Sequence, residues 1–78
     1  MKLPALRPKE VEKILFNAGF LIDTTKGSHR TYYNPKTDKH TTVSFHQGTV
    51  PMGTLHAIIN QTGLTQEKFL SFKKKQSR

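Results

Sequence analysis

The 78-residue chain contains no cysteine. That excludes a disulfide framework, a thiol nucleophile and a cysteine-based zinc site, and it fits a reducing compartment. Carboxylates are scarce too, five against thirteen lysines and arginines. Glu10 and Glu12 fall on different faces of the first predicted helix, and Asp23, Asp38 and Glu67 are far apart in sequence. Two-metal phosphoryl chemistry needs clustered carboxylates, so no metal site and no cofactor are expected. His40 and His46 are six apart across a strand end, which is not a zinc-ligand spacing. There is no long apolar run, hence no predicted membrane span. The Met1–Pro8 segment lacks the apolar core of a signal peptide, and a cytoplasmic location is predicted.

What is abundant is positive charge. The net charge is +8, and it is unevenly spread. Residues 1–30 carry +3, residues 31–72 carry +1, and the short stretch 73–78 carries +4 through Lys73, Lys74, Lys75 and Arg78. Such an excess favours nucleic acid, an anionic membrane surface or an acidic protein partner. The C-terminal charges also suit a plain solvated end. At this length one small domain over 1–78 is expected, folded over about 8–72 with a basic tail at 73–78. A chain this short buries only about 60% of the surface it exposes when unfolded.

Val11, Ile14, Leu15 and Ala18 recur at i, i+3, i+4 and i+7, one apolar helical stripe. Pro8 suits the first helical position and Gly19 the left-handed residue after the helix, with Phe20 folding back. Phe20–Thr25 reads as a strand, Lys26-Gly27-Ser28 as a hairpin turn, and His29–Asn34 as a second strand. Tyr32 and Tyr33 fall on opposite faces of it, one for the core and one free to stack a base or pack across strands. Asn34–Lys39 is a polar loop, and His40–Phe45 a third strand with Thr41, Val43 and Phe45 on one face. Gln47–Gly53 reads as a loop and a second helix begins near Thr54, with Leu55, Ile58 and Ile59 at helical spacing and a stop at Gly63. Thr65 caps a short last helix anchored by Phe69 and Leu70; Lys68 in place of an acid leaves the capping box incomplete. The predicted fold is α+β, ordered α-β-β-β-α with a short extra C-terminal helix. Its three-stranded antiparallel sheet has helices on one face and water on the other.

The residues with the most chemistry are Gly27-Ser28-His29. Attack of a ribose 2′-hydroxyl on its own phosphate needs a base that titrates near neutrality, a proton for the leaving oxygen and positive charge on the phosphoryl group. Histidine titrates in that range. Lys26 and Arg30 flank His29 and can supply charge. The Gly27 and Ser28 N–H groups and the Ser28 hydroxyl can donate to a phosphate oxygen. A Gly-Ser-His triplet alone also fits an ordinary hydrogen-bonded surface histidine. Ser28 and His29 are adjacent with no placed acid, so a serine hydrolase triad has no support. Lys36 and Lys39 can track a phosphate backbone, or be ordinary loop lysines.

Taken together, the pieces resemble the HicA toxins of HicAB toxin–antitoxin modules, over about residues 8–72. The likeness rests on Ala18-Gly19-Phe20 ending an amphipathic helix, on Lys26-Gly27-Ser28-His29, on His46 after the third strand, and on Gly53-Thr54-Leu55 leading to Ile58-Ile59. Gly63-Leu64-Thr65 and Phe69 complete it. The resemblance implies a double-stranded-RNA-binding-domain-like fold. It also implies a metal-independent mRNA endoribonuclease whose catalytic histidine matches His29. The implied partner is a HicB antitoxin that blocks the site, the toxin being monomeric when free and hetero-oligomeric with the antitoxin. The family often carries a proline two residues before the second histidine; this chain has Ser44 there. Two other readings stand beside this one: a non-catalytic RNA-binding module using the same basic face, and a ribosome- or DNA-associated structural protein.

Overall fold

The computed structural model describes residues 2–74. The order is α1 (Pro8–Asn17), β1 (Leu21–Lys26), β2 (His29–Asn34), β3 (Lys39–Ser44), α2 (Met52–Thr62) and α3 (Gln66–Ser71), followed by one 3₁₀ turn at Phe72–Lys74. The sheet is antiparallel in the order β1-β2-β3. The α+β layout is therefore the predicted α-β-β-β-α with an added short helix.

Each boundary has a local cause. The Glu10 carboxylate accepts the Arg7 N–H at 2.8 Å and closes the start of α1. At its other end Gly19 takes φ +100°, the Gly19 N–H donates to Phe16 O, and the Phe20 N–H donates to Leu15 O at 2.9 Å. That Schellman turn uses the Phe20 N–H, so the strand starts at Leu21, one residue later than the pattern predicts, and the Phe20 ring drops into the core. The second helix starts at Met52 instead of near Thr54. Pro51 has φ −56°, its carbonyl accepts the Leu55 N–H at 2.8 Å, and Gly53 is absorbed into the first turn. α2 ends at Gly63 in the left-handed region (φ +79°). The Thr65 hydroxyl caps α3 by accepting the Lys68 N–H at 3.0 Å.

Tyr32 and Val43 from the sheet, Val11, Ile14 and Leu15 from α1, Leu55 and Ile58 from α2 and Phe69 from α3 form the centre of one core. Leu6, ahead of α1, is also fully buried, and its carbonyl accepts the Val50 N–H at 2.7 Å. The chain before α1 is thereby tied to the loop between β3 and α2. The helices cover β2 and β3, whereas every residue of β1 is exposed. A register shift between Ile22 and Thr24 bulges this edge strand.

Candidate functional site

Strand pairing decides which side chains meet. His29 opens β2 and pairs with Lys26 on β1 and Ser44 on β3. Residues directly opposite one another share a face. Lys26, His29 and Ser44 therefore stand side by side at one end of the uncovered sheet face. Behind them come Thr24, Thr31 and Thr42, then Leu21, Tyr33 and His40. The Thr31 and Thr42 hydroxyls lie 3.3 Å apart, and the Tyr33 and His40 rings stack with centroids at 6.0 Å. Tyr33 thus packs across strands, while Tyr32 is the tyrosine of the core.

The turn between β1 and β2 is the two residues Gly27 and Ser28, with Gly27 at φ +57°. Its tip is open: a Cβ built on Gly27 would meet nothing within 4 Å. Among the described residues the Gly27 and Ser28 N–H groups make no hydrogen bond. The Ser28 carbonyl accepts the Phe45 N–H at 2.6 Å, which fastens the turn to the end of β3. Lys26, Gly27, Ser28 and His29 are all exposed. The hairpin presents one imidazole, one ammonium, two free N–H donors and a hydroxyl together.

Arg30 is not part of that group. Strand alternation turns it to the helix side. There its guanidinium donates to Glu12 at 2.6 Å and lies 4.6 Å from the centre of the Phe45 ring. The Tyr32 hydroxyl donates to the same Glu12 oxygen, also at 2.6 Å. Burial and then this contact with Glu12 raise the Tyr32 pKa well above the ordinary tyrosine value. The hydrogen bond to Glu12 raises Arg30 as well. The sequence pattern misses Glu12 as a central residue. Its position beside Val11, on the edge of the α1 apolar stripe, is the signal that points to it.

Lys36 and Lys39 lie at the far end of β2 from His29, about 17 Å away at ordinary strand rise. The Lys36 N–H donates to the Asn34 side chain, and the Lys39 stem runs over Gly63. His40 and His46 are not brought together either. His40 stacks on Tyr33, and His46 lies beyond β3 with Nδ1 2.9 Å from Gln47 O. His46 lines a cavity of about 460 Å³ with Arg7, Pro8, Lys9, Phe45, Gln47 and Gly48. Among the described residues no three histidine, aspartate or glutamate side chains gather as a metal site would require. No described helix is long and apolar enough to cross a membrane.

Fold and site together define a class: a small basic α+β domain that carries a histidine and a glycine turn on an open sheet end. The family model described as the HicA toxin of bacterial toxin–antitoxin systems matches residues 8–64, from the first residue of α1 to just past the Gly63 cap. The chain belongs to the HicA toxin family, and membership implies an antitoxin partner. Comparison with curated proteins gives no match.

Proposed function

We propose that this chain is a metal-independent endoribonuclease toxin that cleaves mRNA with His29 as its catalytic residue and is neutralised by a HicB-type antitoxin. The observation that carries the reading is the Lys26–His29 hairpin. It has an exposed imidazole beside a lysine on the same sheet face, next to two N–H groups with no partner among the described residues. The imidazole takes the 2′-hydroxyl proton or delivers one to the leaving oxygen. Lys26 and the Gly27 and Ser28 N–H groups hold the phosphoryl oxygens as charge builds. Arg30 works from behind: paired with Glu12, it anchors β2 to α1. Lys36 and Lys39 touch RNA only where the strand runs the length of the sheet. The α-β-β-β-α order agrees with a double-stranded-RNA-binding-domain-like fold. Glu12 is engaged with Arg30 and Tyr32, which supports chemistry without a carboxylate-bound metal. In the cytoplasm the free toxin is a monomer, and the antitoxin converts it to a hetero-oligomer.

The test is cleavage of a defined mRNA by the purified, antitoxin-free chain in excess EDTA. Cleavage should persist in EDTA and vanish in His29→Ala. Loss of activity in EDTA with recovery on adding magnesium would refute the metal-independent mechanism. Equal cleavage by His29→Ala would remove His29 from it. RNA binding without any cleavage would favour the non-catalytic module.

A further inference from the structure

The groove of about 460 Å³ beside the hairpin takes no part in the proposed cleavage chemistry. We propose that it is a nucleotide subsite, holding the RNA strand next to the bond presented to His29. This rests on the ribonuclease reading and extends it. Four observations converge. First, the groove is joined to the catalytic turn, since Phe45 forms part of its wall and the Phe45 N–H donates to Ser28 O at 2.6 Å. A strand leaving His29 reaches it by rounding the end of the sheet, since His29 stands on the open face while Phe45 faces the helix side.

Second, its charge suits a phosphodiester. Arg7 and Lys9 line it and no carboxylate does, and neither cation has a carboxylate partner among the described residues. Arg30, the neighbouring cation, is by contrast neutralised by Glu12. Third, it offers a surface for a base. The half-buried Phe45 ring is steadied on one side by the Arg30 guanidinium, and His46 adds a second flat ring. Aromatic faces accept any base, with little regard for sequence. Fourth, the groove is preformed. Pro8, Leu6 and Val50 are buried, and the hydrogen bond from Val50 to Leu6 clamps the loop against the start of α1. A volume of this size falls in the range of ordinary small-ligand sites.

The experiment separates binding from cleavage by using a short 2′-O-methyl oligoribonucleotide, which has no attacking hydroxyl. It is titrated into the full, antitoxin-free chain and followed by backbone amide NMR and by affinity against salt. Wild type should show shifts at Gln47 and Gly48 as well as at Gly27–His29. The double variant Arg7→Ala/Lys9→Ala alters two exposed side chains. It should lose the shifts at Gln47 and Gly48 and reduce the log–log salt slope by about 1.4, two phosphates at about 0.7 each. His29→Ala should keep the shifts at Gln47 and Gly48. If the double variant keeps the wild-type slope while the hairpin still responds, the groove is no subsite, and the ribonuclease reading survives. If the oligonucleotide shifts neither surface, both fall. If an acidic peptide shifts Gln47 and Gly48 and the oligonucleotide does not, the groove serves a protein and the proposal is overturned.

Discussion

His29 is a residue whose surroundings leave it free to work. It has a lysine and a serine as cross-strand neighbours and no packing duty. Replacing it should therefore cost chemistry and not stability. His29→Ala is expected to lower the cleavage rate by about 10²–10⁴-fold, the usual worth of a general acid or base, with the melting temperature nearly unchanged. Gly27→Ala should behave differently. The space is open, but φ +57° is unfavourable for an L side chain, so a stability loss of about 1 kcal/mol is expected. Thermal melts with single-turnover cleavage of both variants separate the two effects. A His29→Ala protein that melts much earlier than wild type would give His29 a structural role.

At the scale of elements, the Glu12 carboxylate joins α1 to β2 through two short hydrogen bonds. Arg30 is about one third exposed, so the ion pair is partly screened and the Tyr32 bond holds more of its value. Glu12→Ala is expected to cost about 2 kcal/mol, leaving a buried tyrosine hydroxyl without its acceptor. In a domain of this size that lowers the melting temperature by on the order of 10 °C. Tyr32 also fixes a pH dependence. Its pKa is raised in the folded state, so the folded chain holds that proton where the unfolded chain loses it. The contribution is full below the unfolded tyrosine value of 10.0 and is lost as pH rises above it. Between about pH 9 and 11 wild type should lose more stability than Tyr32→Phe, as measured by urea unfolding at each pH. Parallel curves for the two proteins would contradict this.

At the scale of the whole molecule, half of the net charge of +8 lies in residues 73–78. Residues 75–78 lie outside the described residues. Removing 73–78 should weaken RNA binding without moving the cleavage sites, and the log–log salt slope should fall by about 0.7 for each phosphate that the shortened chain no longer neutralises. An unchanged slope would make these charges a solvated end only. The antitoxin is expected to present acidic or polar groups and to cover Lys26–Arg30, since a basic surface speeds and selects such a partner. Hydrogen exchange of the complex should then show protection at Gly27–His29. A turn that exchanges as fast as in the free toxin would mean inhibition at a distance.

Local rules make much of this legible in the chain itself. The 3.6-residue stripe of α1, the glycine stops at Gly19 and Gly63, the glycine turn before His29 and the Thr65 cap each depend on residues close together in sequence, although the pattern counts Lys26 into that turn and the structure pairs it with His29 as the last residue of β1. Sequence therefore determined the element order. The start of α2 escapes these rules because Pro51 and Gly53 read as loop residues, yet both fit a helix's first turn. The structure decided what depends on long-range pairing. Register set Lys26 and Ser44 beside His29 and turned Arg30 away. Packing of α1 against the sheet gave Arg30 and Tyr32 a shared carboxylate eighteen and twenty residues distant. The bond from Val50 to Leu6 built a basic groove from two segments that no spacing rule connects. Propensity and turn chemistry act along the chain. Charge pairing and cavities arise only where distant segments are forced to share one core.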